Sequence, residues 1–286
     1  MKITAIEAIP FRIPYRKPLK FASGEVRQAD HVLVRVHTDD GVVGVAEAPP
    51  RPFTYGETQR GIVAVIEEIF APQVVGLALT EREQMAHLLG RTVGNPTAKA
   101  AVDMAVWDAL GKTLGLPVTE LLGAYTDRMR VSHMLGFDAP EAMVAEAERM
   151  RDVHGITTFK VKVGRHPVEL DTAVVRALRE GLGPEVVLYV DGNRGWTASE
   201  SARAMKEMAD LGLMFAEELS PADDVLSRRW LVQQLDVPFI ADESATTPAE
   251  VTREVLGGSA TALSIKTART GFTGSQRVLH LSLIHI

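Results

Sequence analysis

The chain has no cysteine, which excludes disulfides and thiolate metal ligands. It has no run of eighteen apolar residues, the length a membrane-spanning helix needs. Its opening stretch, MKITAIEAIPFRIP, is broken by charges and prolines and lacks the apolar segment of a secretory signal. Positive charge is not in excess: 31 Lys and Arg stand against 37 Asp and Glu, a net charge of −6, so the basic footprint of a nucleic-acid binder is missing. Neither G-x-G-x-x-G nor G-x-x-x-x-G-K-[ST] occurs, which argues against a dinucleotide- or nucleotide-binding doubly wound sheet. These absences fit a cytoplasmic protein that takes neither nucleic acid nor membrane as partner. What is present is apolar bulk, 46% of 286 residues, enough for two domains or a barrel with an appendage.

The hydropathy pattern changes twice. KITAIEAIPFRIP and DHVLVRVHT alternate with period two and read as strands, and Asp39-Asp40-Gly41 marks a hairpin turn before VVGVAEA. From Glu57 the spacing becomes helical, with Thr80 as an expected N-cap and Gly115 before Pro117 as a stop. Strands followed by helices make an α+β module. From about Met129 short apolar runs alternate with amphipathic stretches, the pattern of parallel strands joined by helical crossovers.

Five charged residues stand at the ends of successive apolar runs in this second part: Lys162, Asp191, Glu217, Asp242 and Lys266. The gaps between them are 29, 26, 25 and 24 residues, each about one strand-helix unit of a (β/α)8 barrel. Such spacing brings three carboxylates and two lysines to one mouth. Asp191, Glu217 and Asp242 are hard oxygen ligands and suit Mg²⁺, with Mn²⁺ as an alternative. Lys160 shares a strand face with Lys162, and a lysine serves better as a base when a neighbouring cation weakens its hold on the proton. The chemistry that fits is removal of a proton next to a carboxylate, with a divalent metal stabilising the charge that develops on oxygen.

At these residues the chain resembles the enolase superfamily, in its muconate lactonizing enzyme subgroup. KVK (Lys160 to Lys162), DGN (Asp191 to Asn193), EE (Glu217, Glu218), ADES (Ala241 to Ser244) and SIK (Ser264 to Lys266) follow that subgroup's motifs in order and spacing. The resemblance implies an α+β capping domain at residues 1–125 and a modified TIM barrel at residues 126–280. It implies Lys162 and Lys266 as acid/bases, Lys160 as their tuning or carboxylate-binding neighbour, and Asp191, Glu217 and Asp242 as ligands of Mg²⁺. Asn193 and Glu243 would support the metal or touch substrate, and Phe21, Phe53 and Tyr55 fall where the family places substrate-covering loops. His133, on the first barrel strand, is expected to be an ordinary core or surface histidine.

The implied activity is a metal-dependent isomerase acting on a small carboxylate. Muconate cycloisomerase chemistry is the first expectation. Racemisation or epimerisation of amino-acid derivatives or dipeptides, and an o-succinylbenzoate synthase-like elimination, are the alternatives. Glu218, Ser220, Ala124 and Phe272 depart from the subgroup's usual residues and bear on the particular reaction rather than on the site. About six of eight barrel strands are expected. The chain would then stop short of closure, with residues 281–286 (LSLIHI) matching a sequencing-adapter translation foreign to the fold. An unclosed barrel leaves a strand edge open to aggregation and would be inactive as it stands, whereas the full-length protein is expected to form a homo-oligomer.

Overall fold

The computed structural model describes residues 1–21 and 24–284. Contacts divide the chain into two compact units. One comprises residues 1–16, 27–128 and 265–286, the other residues 17–26 and 129–264. Of the last six residues, 281–284 continue the final helix and 285–286 lie outside the described residues. Among the described residues no helix is long and apolar enough to cross a membrane.

The first unit is built on a sheet of β1 (Ile3–Phe21), β2 (Gly24–Thr38) and β3 (Val43–Ala48), in that order. β2 and β3 pair antiparallel, from Val32 opposite Ala48 to His37 opposite Val43. Their turn is closed by Thr38 N donating to the Val42 carbonyl, with Gly41 at positive φ, the conformation glycine takes without a Cβ penalty. Period two sends Val32, Val34 and Val36 inward, all fully buried. They meet helices α1 (Gln59–Val65), α2 (Ala71–Val74), α3 (Arg82–Gly90) and α4 (Pro96–Leu114). Five residues, Ile66–Phe70, run as π-helix between α1 and α2.

Alanines let α4 lie close to β3: a Cβ on Gly44 would come within 2.0 Å of the Ala105 carbonyl oxygen. α4 ends at Gly115 in the left-handed conformation, as the Gly-then-Pro signal implies. Thr80 is not a cap. α3 begins one residue later than that reading requires, behind Glu81, whose carboxylate instead accepts the Ala78 N–H at 2.7 Å. The short α5 (Val118–Leu121) follows α4, and α11 (Thr267–Ile284) joins this unit against α4.

The second unit is a six-stranded parallel sheet: β4 (His133–Leu135), β5 (Thr158–Lys162), β6 (Val187–Asp191), β7 (Leu213–Glu217), β8 (Phe239–Ala241) and β9 (Ala262–Leu263), in sequence order. Helices α6 (Pro140–His154), α7 (Glu169–Leu182), α8 (Ala198–Glu207), α9 (Val225–Gln234) and α10 (Pro248–Gly257) return the chain between strands. Sequence-coded signals start and stop them. Thr197 with Glu200 and Thr247 with Glu250 form complete capping boxes, and Gly155 and Gly258 close α6 and α10. Phe159, Val161, Leu188, Val190 and Ala216 alternate outward into the core shared with α6, α7 and α8. The other face carries the polar residues. The second unit is thus six parallel strands with helical crossovers, and among the described residues the strand order does not close into a barrel.

Candidate active site

The ladder register sets the site. Lys162 lies opposite Asp191, and Asp191 opposite Glu217. Glu217 pairs with Ile240, which places Asp242 two residues further along β8's direction. Each of these strands stops within a residue of its charged group.

Lys162 Nζ donates to Asp191 Oδ2 at 2.6 Å and to Asn193 Oδ1 at 2.5 Å. Lys160 Nζ reaches the same Asp191 oxygen at 3.1 Å and lies 2.7 Å from Glu217 Oε2. Asn193 N donates back to Asp191 Oδ1 at 3.0 Å, and its side-chain amide donates to Glu243 Oε1 at 3.0 Å. Asp191, Glu217 and Asp242 are all at most 2% exposed.

Burial of this much charge shifts the acidities apart. Burial raises the Glu217 carboxyl, the nearby Asp191 charge raises it further, Lys160 offsets part of this and Asp242 adds to it, leaving Glu217 at about 7. Burial acts the same way on Asp191, but Lys162 and Lys160 outweigh it and hold that carboxyl below the usual aspartate range. Burial would lower Lys160, yet Asp191 and Glu217 together raise it above an ordinary lysine.

The donor set fits a divalent cation in kind: three buried carboxylates at successive strand ends, one of them only partly neutralised by its lysines. Among the described residues, however, no three His, Asp or Glu side chains stand close enough to hold an ion as they are. The Lys160 ammonium sits between Asp191 and Glu217, taking the place of positive charge that a cation would supply.

The remaining residues singled out in the sequence fall elsewhere. Lys266 lies three residues beyond the end of β9, half-buried, in the other unit, where its carbonyl accepts the Arg269 and Thr270 N–H groups that open α11. Phe53, 80% exposed, and Tyr55, half-buried, belong to a turn of the other unit held by the Arg51 carbonyl. Phe21 ends β1 and its side chain lies outside the described residues. His133 points away from the lysine face. Its Nε2 pairs with Glu146 Oε1 at 2.9 Å and its ring packs on Phe159.

Two contributors carry little sequence signal. Tyr189 precedes Asp191 by two residues, so period two puts it on the same face; Lys160 Nζ lies 5.5 Å from its ring centre, and its hydroxyl meets Ser132 Oγ at 2.9 Å. Glu218, noted in the sequence only as a departure from the subgroup's usual residue, is fully buried at positive φ.

Comparison with known proteins bears on this geometry. Residues 5–123 match the model of the mandelate racemase / muconate lactonizing enzyme N-terminal domain, and residues 142–284 match that of the enolase C-terminal domain-like family. A crystal structure of muconate lactonizing enzyme from Mucobacterium Smegmatis, complexed with muconolactone, is 76% identical and superposes with a TM-score of 0.98, over 100% of this chain and 78% of that one. L-Ala-D/L-Glu epimerase of Bacillus subtilis is 33% identical over 97% of this chain and 77% of its own length. A dipeptide epimerase from Enterococcus faecalis, solved with Mg and the dipeptide L-Leu-L-Tyr, is 28% identical with a TM-score of 0.95, over 99% of this chain and 78% of that one.

Proposed function

The chain belongs to the mandelate racemase / muconate lactonizing enzyme family of the enolase superfamily, a family of isomerases, and from that premise we propose that it is a Mg²⁺-dependent cycloisomerase of the muconate type. The observation that carries the reading is the pair of β5 lysine ammoniums, 2.6 and 3.1 Å from one buried Asp191 oxygen at the end of β6, with buried Glu217 and Asp242 at the ends of the next two strands.

In this reading Asp191, Glu217 and Asp242 hold the ion. When bound, Mg²⁺ supplies the Lewis-acid charge that makes a proton next to a carboxylate removable. Lys162 carries that proton. In lactonisation a carboxylate oxygen of the diene diacid forms the new C–O bond, the double-bond electrons shift to the carbon beside the other carboxylate, and Lys162 Nζ protonates that carbon. Ring opening is the reverse, so substrate and product are isomers. Lys160 holds the substrate carboxylate by charge, and Asn193 keeps Lys162 aimed through their 2.5 Å bond.

Turnover in ²H₂O tests this. Muconate should lose its diene absorbance with Mg²⁺ present, and the lactone should carry one deuterium beside its free carboxylate. Deuterium entering L-Ala-L-Glu, with muconate untouched, would move the assignment to a dipeptide epimerase, the reading that the 33% identity to the Bacillus subtilis enzyme favours. Exchange into neither would sink both.

A further inference from the structure

We propose that Glu218 is a positioning residue that fixes the three strand ends carrying Asp191, Glu217 and Asp242, and so sets the site's affinity for a divalent cation. The proposal rests on the metal-site reading above.

Glu218 touches all three ends. Its carbonyl accepts the Arg194 N–H at 2.8 Å, just past β6, and its own N–H donates to the Ile240 carbonyl at 3.0 Å on β8. Its Oε2 accepts three bonds from the loop after β8: Asp242 N at 2.6 Å, Ser244 N at 3.2 Å and Ser244 Oγ at 2.8 Å. The Asp242 backbone is therefore held by the residue next to Glu217. Positive φ, +37° at Glu218, is an uncommon state for a side chain of this size and persists only where the surroundings impose it. It lets consecutive glutamates face different ways, Glu217 toward the lysines and Glu218 toward the β8 loop.

The other oxygen, Oε1, makes no hydrogen bond among the described residues and faces Arg228 Nη1 at 3.6 Å. Arg228 is itself fully buried and paired with the fully buried Glu254 of α10. An acceptor is thus needed on both sides of the 218 side chain. Glutamine offers one: its amide nitrogen must face either Arg228 or the three donors, and each choice sets donor against donor.

Direct binding of Mn²⁺, followed by electron paramagnetic resonance and calorimetry on the full chain, tests this alongside melting of the metal-free protein. Glu218→Gln should weaken Mn²⁺ binding about 10–100-fold, as removal of an outer-shell partner does. Ser244→Ala, which takes away one of the three bonds, should weaken it about fivefold in a protein that still melts cooperatively without metal. Wild-type affinity in both variants overturns the proposal, as does weakening only in a variant that has lost its fold. If Glu218→Gln does not fold, Ser244→Ala decides alone. Glu217→Gln separates the layers: a wild-type protein that binds no Mn²⁺, or a Glu217→Gln variant that binds it undiminished, overturns the metal site itself and the proposal with it.

Discussion

Lys162 Nζ lies 2.6 Å from Oδ2 of Asp191, the residue directly opposite it in the β5–β6 ladder. Lys160, two residues back on the same strand face, approaches the same oxygen. One aspartate oxygen therefore organises both lysines. The arrangement follows from strand period and register, without any loop having to fold around it.

Lys162→Met should separate chemistry from folding. Asp191 keeps Lys160, so the lost charge-assisted bond should cost about 1.5–3 kcal/mol in a urea melt. Turnover and deuterium exchange should fall about 10²–10⁴-fold. A variant that melts as predicted yet turns over at the wild-type rate would remove Lys162 from the reaction.

Metal-free stability should depend on pH through Glu217. Its folded value, about 7 against the ordinary 4.5, means the folded state holds the proton more tightly. The stabilising contribution is then complete below about pH 4.5 and lost as pH rises through about 7. Asp191 runs the other way: its carboxyl is lowered, so its contribution is present above its ordinary value of 3.8 and lost only at lower pH. With EDTA the melting temperature should decline from about pH 5 to pH 8, and Mg²⁺ should restore most at the upper end, where Glu217 is free to bind it. A flat EDTA profile over that interval would contradict the assignment.

The sequence makes the strand ends legible because a charge that terminates an apolar run needs no knowledge of distant contacts. Lys162, Asp191 and Glu217 fall in register for that reason. Lys266 reads the same way but stands beyond a strand of only two residues, Ala262–Leu263; an apolar run marks where a strand can form, not how far its ladder extends. The lysine lodged between Asp191 and Glu217 is likewise invisible in one dimension, since spacing gives strand order but not side-chain pairing. Glu218, Arg228 and Glu254 are farther out of reach. They come from β7's end, α9 and α10, and only packing joins them.

Arg228→Met should be among the most destabilising single changes in this unit. The guanidinium is fully buried between Glu218 and Glu254, so its loss leaves buried Glu218 without a cation and Glu254 with only the exposed Arg253. Breaking a buried pair from one side costs about 3–5 kcal/mol. Pairing Arg228→Met with Glu254→Gln should recover part of that loss, and simple additivity in a double-mutant cycle would show that the two are not coupled.

Asp103 gives a second, independent pH dependence. It is buried in α4, accepts the Thr273 N–H at 3.0 Å and the Thr273 hydroxyl at 2.6 Å, and its acidity is weakened by burial more than those bonds restore. A raised carboxyl stabilises the fold below its ordinary value of 3.8 and loses that contribution as pH climbs through the folded value. Asp103→Asn does not titrate, so its stability relative to wild type should improve as pH rises over that range. Parallel urea-melt profiles for the two proteins would count against it.

Gly192, in the middle of Asp-Gly-Asn, tests how closely the strand ends must approach. Its N–H donates to the Glu217 carbonyl at 3.0 Å. A Cβ at this position would meet Leu219 Cα at 2.8 Å and the Glu218 and Leu219 carbonyl oxygens at 3.2 Å. These are backbone atoms, so the clash cannot be relieved by turning a side chain; the end of β6 has to move off the end of β7. Gly192→Ala should therefore cost about 1–3 kcal/mol, as overpacking does. By parting Asp191 from Glu217 it should also weaken Mn²⁺ binding at least about tenfold. Gly90→Ala is the matched control, because a methyl group there meets nothing within 4 Å and should be neutral or slightly stabilising. Equal effects of the two substitutions on Mn²⁺ affinity would mean that the spacing of Asp191 and Glu217 does not govern the site.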